Sequence, residues 1–228
     1  MTGTDRNELL ADEDGDVSVP VIRETLLSRQ PNPASSDVAL VGVAVLTAVS
    51  AVYWIDPGGL AAALPASRES VFARDEYWRL LTSLGAHSDA QHLLANAALF
   101  GILAYLLHGY FGAVVFPLIA TILGVLTTAL TLSAYPARVQ LVGASGMAYA
   151  MAGLWLSLYL VVERRLRLGK RVLRASGFGL IMLVPSVFEP HVSYRAHAIG
   201  FVLGVAAGLG FFLQQKHKLR AAERIEWD

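Results

Sequence analysis

The chain contains no cysteine. Disulfide bridges, a thiolate nucleophile and cysteine-ligated metal centres are therefore excluded. It has no His-Glu-x-x-His run, so the common zinc-hydrolase helix is absent as well. No stretch shows the apolar/polar alternation of a membrane barrel strand. The start lacks a basic segment leading into a short apolar run and a small-residue cleavage site, so no removable leader is expected and the first apolar run reads as an anchor. Charge is sparse and balanced, with 18 Lys and Arg against 18 Asp and Glu in 228 residues. No basic surface interleaved with aromatics points to a nucleic-acid partner.

What is present is apolar. Hydrophobic residues make up 55% of the chain and the mean hydropathy is +0.52, well above a soluble domain of this size. Runs long enough to cross roughly 30 Å of hydrocarbon fall near residues 38–55, 91–109, 112–133, 145–162, 172–187 and 195–214. The fifth is short and contains Pro185. Backbone polar groups in lipid must be satisfied within each segment, so each run is expected to be a helix. The fold class is all-α, a polytopic six-helix membrane bundle over residues 37–214. Residues 1–36, with Glu8, Asp12, Glu13, Asp14 and Asp16 crowded together, read as a disordered acidic tail, and residues 215–228 as a second tail.

Orientation follows from lysine and arginine, which resist translocation near span ends. Arg164, Arg165, Arg167, Lys170, Arg171 and Arg174 lie between spans four and five, and Lys216, Lys218, Arg220 and Arg224 follow span six. Both regions are expected in the cytoplasm, as are both termini, which fits a multi-pass protein of the cell membrane. Spans two, four and six then run inward from the outer face.

A polar side chain inside a span costs about 2.5 to 3.5 kcal/mol on insertion scales when it is ionisable, and is a functional suspect by default. Those suspects are His92 and Asn96 at the start of span two, Ser145 at the start of span four and His197 at the start of span six. All lie in the first turns of inward-running helices, at one depth below the outer surface. His197 shares a face with Gly200, Gly204 and Gly208, and Ser145 sits beside Gly143, Ala144 and Gly146 on a face that continues through Tyr149 and Gly153. Small residues let helices approach closely in lipid, so spans four and six are expected to pack here and bring hydroxyl and imidazole together.

Acyl transfer needs this set. A serine hydroxyl becomes an effective nucleophile when a neutral histidine accepts its proton. A tetrahedral intermediate needs donors aimed at its oxyanion; the Asn96 amide, the His92 ring N–H and the Ser145 backbone N–H are the candidates. No Asp or Glu lies within any span, so a Ser-His dyad is implied, with Tyr149 placed to stack on the imidazole.

These residues resemble the rhomboid intramembrane serine proteases over residues 38–214. Gly143-Ala144-Ser145-Gly146, with Tyr149 beyond, is similar to the family's GxSG nucleophile motif. Ala196, His197, Gly200 and Gly204 resemble its AHxxGxxxG helix, and His87, His92 and Asn96 its HxxxxHxxxN spacing. Trp78 and Arg79 resemble the Trp-Arg pair of its long first outer loop. The resemblance implies an endopeptidase that cleaves single-pass transmembrane proteins near the outer face of the lipid bilayer. It implies oxyanion roles for His92 and Asn96, and no metal or organic cofactor.

Plainer readings stand beside these. Ser145 alone could be a helix-packing serine, His92 and Asn96 interhelical hydrogen-bond glue, and Tyr149 ordinary packing; for His87, structural support of the first loop is favoured. Rival functions are a rhomboid-like protein that binds membrane clients without cutting them, and a small transporter, whose polar residues should occur at several depths. Span five, with Gly177, Gly179 and Pro185, is the expected gate for substrate.

Overall fold

The computed structural model describes residues 19–183 and 193–228. Helix α1 spans Ser35–Ile55 and a short helix α2 spans Arg79–Gly85. Helix α3 covers Ala90–Phe111; α4 covers Ala120–Ser133 and is entered through a π-helical segment, Val114–Ile119. Helices α5 (Ser145–Val162), α6 (Leu168–Leu183) and α7 (Tyr194–Ala221) follow. The fold is an all-α polytopic bundle. Among the described residues five helices are long and apolar enough to cross a membrane, namely α1, α3, the Val114–Ser133 unit, α5 and α7. The described part of helix α6 is 16 residues long, and Phe178, Met182 and Leu183 lie against the main core. Pro185, assigned above to the fifth span and its gate, lies outside the described residues.

Helix α5 is the axis of the bundle: 72% of its most apolar window is buried, against 17% for α1. Its sequence explains this, because Gly146, Ala148, Ala150, Ala152 and Gly153 leave a slender cylinder on which neighbours can close. Contact with α7 is intimate. A β-carbon added at Gly200 would land on the Gly146 carbonyl oxygen, at Gly204 on that of Ala150, and at Gly153 on that of Phe201. The glycine rows are thus mutual, and the close approach expected of spans four and six is present.

Two small antiparallel pairings add strands to the helices. Strand β2 (Ala66–Ser67), in the long connection between α1 and α3, pairs with β3 (Gln140–Leu141) just before α5. Strand β1 (Pro20–Glu24) pairs with β4 (Arg224–Trp227), with Pro20 opposite Trp227 and Ile22 opposite Ile225. This differs from the expectation of disorder through residue 36. From residue 19 onward the tail is ordered, because its backbone finds a partner strand more than 200 residues away. The Arg23–Glu226 and Arg224–Glu24 ion pairs flank that ladder at 3.1 and 3.3 Å. Residues 1–18 lie outside the described residues.

Candidate active site

The segment 140–144 that leads into α5 is held on three sides. Ser67 and Ala66 pair with Gln140 and Leu141. The Gly143 N–H donates to the Ser83 carbonyl of α2 at 2.9 Å, and the Ala144 N–H donates to Nε2 of His87 at 3.3 Å. Gly143 has φ of +111°, a backbone region open essentially to glycine alone. A β-carbon there would stand 2.8 Å from Cε1 of His92. Glycine is needed at 143 for both reasons, and the result is that Ser145 starts its helix at the edge of a cavity.

That cavity, of about 360 Å³, is lined by Ser145 and Gly146 from α5, His92 from α3, Ser193 and Ala196 at the head of α7, and Asp89, Gln140 and Val142 from the loops. Ser145 is half-buried. His197 is 4% exposed, and its imidazole lies flat on the ring of Tyr149, with centroids 3.9 Å apart and planes 8° from parallel. Tyr149 in turn donates its hydroxyl to the Leu183 carbonyl of α6 at 3.0 Å. Neither His197 ring nitrogen has a hydrogen-bond partner among the described residues. The Ser145–His197 hydrogen bond expected from the sequence is therefore not formed. The packing of Gly146 against Ala196 and Gly200 brings the starts of the two helices to one level without closing that bond. A buried imidazole without a partner among the described residues is costly.

Helix α3 brings His92 to this cavity, while Asn96, one turn further on, is not among the residues that line it. His92 is half-buried; its Nδ1 lies 3.1 Å from Oγ of Ser88, and its Cε1–Nε2 edge is turned toward Gly143. Asn96 is 6% exposed and donates from Nδ2 to the His92 carbonyl at 2.9 Å, which uses one of its two amide protons. Asp89 caps the helix by accepting the His92 backbone N–H at 2.8 Å.

His87 proves more deeply engaged than support of a loop implies. It is fully buried in the connection between α2 and α3. Since the Ala144 N–H can only donate, Nε2 must be the bare acceptor and Nδ1 must carry the proton. Nδ1 lies 3.1 Å from the Gly85 carbonyl and 2.9 Å from Oγ of Ser50 on α1; Ser50 itself donates to Gly85 at 3.0 Å. Burial, with the neighbouring His92 adding to it, pushes the His87 imidazole down from 6.5 to about 4. The ring is a neutral post joining α1, the α2–α3 connection and the residue before Ser145. Sequence reasoning missed Ser50 altogether. The available signal was one more polar residue in an apolar span, but serine is common there as helix-packing glue.

In the connection between α1 and α3 Arg79 donates from Nη1 to the carbonyls of Ala62 and Pro65 at 2.8 and 3.1 Å and pairs with Glu76. It staples the loop, while Trp78 stays exposed. Among the described residues no three His, Asp or Glu side chains are grouped to hold a metal ion.

These features define a multi-pass helical membrane protein whose three polar helix starts converge on one cavity. The rhomboid domain family matches residues 74–214, more than half of the chain, and the chain belongs to the rhomboid family. A search of curated proteins returns no match.

Proposed function

We propose that this rhomboid-family protein is an intramembrane serine endopeptidase that cleaves transmembrane segments of single-pass proteins through Ser145 and His197. One observation carries the reading: a buried imidazole without a hydrogen-bond partner among the described residues, stacked on a tyrosine, directly follows Ala196, which lines the same cavity as Ser145. In the reaction the Ser145 hydroxyl attacks the scissile carbonyl and passes its proton to His197, which returns it to the leaving amine. Water then hydrolyses the acyl-enzyme by the same relay. The Ser145 backbone N–H, His92 and the free Asn96 amide proton are the donors available to the oxyanion.

The β1–β4 pairing sets the first and last described strands side by side, which supports an even number of crossings with α6 as the sixth. With the basic residues of the α5–α6 turn and of the C-terminal end on that face, both termini are cytoplasmic and the site faces outward in the cell membrane. The family match alone also fits a protein that holds membrane clients without cutting them, and the unmade Ser145–His197 bond fits that second reading. A fluorophosphonate probe separates the two. Labelling of the wild type that is lost in both Ser145→Ala and His197→Ala, with parallel loss of cleavage of a reconstituted transmembrane substrate, supports the protease. Absence of wild-type labelling with client still bound supports the second reading.

A further inference from the structure

The first two turns of α6 carry an unusual concentration of positive charge. Arg167 directly precedes the helix and Lys170, Arg171 and Arg174 lie within it; continued in helical phase, the four fall within a sector of about 100°. The intramolecular carboxylates nearby in the chain are engaged elsewhere. Glu163 holds Arg165 through two bonds of 2.8 and 2.7 Å, Glu223 holds Arg164 and Arg220, and Glu226 holds Arg23 and Arg224. Arg167, Lys170 and Arg174 are exposed and make no ion pair among the described residues. Arg171 donates Nη1 to the Leu160 carbonyl at 2.5 Å, and its Nε is buried without a partner among the described residues.

The helix end makes matters worse. No acidic residue occupies the first turn of α6, so four cations crowd an N-terminus whose peptide dipoles already present positive charge. Nothing within the described fold relieves this, and an external anion can. The same turns expose Leu168, Val172 and Leu173, at 61%, 46% and 73%. A free anion has no use for such a neighbouring apolar face, and an acidic peptide little; an anionic lipid matches both, with phosphate on the cations and acyl chain on the leucines.

We propose that the cationic stripe of α6 is a binding site for the headgroup of an anionic phospholipid on the membrane face that carries the chain termini. The site lies at one end of α6, and the Leu183 carbonyl that receives the Tyr149 hydroxyl lies at the other, so a bound lipid fixes the helix that buttresses the Tyr149–His197 stack.

The test uses the full chain reconstituted in phosphatidylcholine vesicles, with spin-labelled phosphatidylglycerol or spin-labelled phosphatidylcholine as the probe. The motionally restricted fraction of each label gives the selectivity. The wild type is expected to prefer phosphatidylglycerol, and Arg167→Gln/Lys170→Gln/Arg174→Gln to lose that preference by on the order of a hundredfold at low salt. Lys216→Gln/Lys218→Gln, which alters cations at the end of α7, is expected to keep it. Equal selectivity in the wild type and the triple variant overturns the proposal, as does loss of selectivity in the α7 pair to the same degree. Inorganic phosphate, compared with chloride at matched ionic strength, distinguishes the source of the anion: full displacement by phosphate alone makes this a free-anion site and overturns the lipid reading. Should the triple variant fail to insert, Lys170→Gln alone is measured beside the wild type. A wild type without phosphatidylglycerol preference ends the matter.

Discussion

At the scale of single residues, His87 shows how a side chain can shape the site without lining the cavity. Its bare Nε2 accepts the N–H of the residue before Ser145, an arrangement that protonation destroys. The folded protein holds this imidazole at about 4 against an ordinary 6.5, so between those values the unfolded chain binds the extra proton. Stability is therefore expected to fall as pH drops from about 6.5 toward 4, by about 3 kcal/mol in all, and to be insensitive to this group above that window. Thermal unfolding of the purified protein across the window measures it. His87→Gln, whose amide oxygen can take the place of Nε2, should flatten the slope while keeping the Ala144 contact; His87→Leu should flatten it and lower stability at every pH. Gly143→Ala is expected to combine φ strain with collision against His92. It should depress fluorophosphonate labelling of Ser145 far more than it depresses the unfolding temperature.

At the scale of helices, the α5–α7 contact is the part of the fold that tolerates least. Gly204→Ala drives a methyl into the Ala150 backbone and should destabilise by about 1–3 kcal/mol or more. Gly210→Ala, on the same helix with open space around it, should be neutral or stabilise by up to about 1 kcal/mol. Equilibrium unfolding in mixed micelles checks the pair, and equal effects would show that the helices do not meet as described. This contact was legible in the sequence because both signals are local: small residues at helical spacing, and polar residues where an apolar span has no other use for them. Ser145, His197, His92 and Asn96 therefore came into view together, and so did Tyr149 from its place one turn beyond Ser145. The His87–Ser50 link did not, because it joins positions 37 residues apart and uses residue types that are unremarkable in their own segments. The missing Ser145–His197 bond was equally out of reach: helical phase fixes which faces meet but not the last ångström between two side chains.

At the scale of the whole molecule, the closure of β1 on β4 is what composition concealed. The charged, proline-bearing segment before the first span reads as disordered when taken alone, and residues 20–24 of it are ordered because they pair with residues 224–227 at the other side of the sequence. The ion pairs of this clasp differ in worth. Arg23, Glu226 and Arg224 are well exposed and should contribute little individually. The Glu223 side chain is 6% exposed and serves two arginines, Arg164 of the α5–α6 turn and Arg220 of α7. Glu223→Ala should therefore lower the unfolding temperature more than Glu226→Ala does, a comparison that thermal denaturation of the two variants decides directly.

A chain whose first described strand lies hydrogen-bonded beside its last could be closed into a ring. A short peptide joining the two ends, with new openings cut in an exposed connection, should yield circular permutants in which the helices keep their neighbours although their order along the backbone has changed.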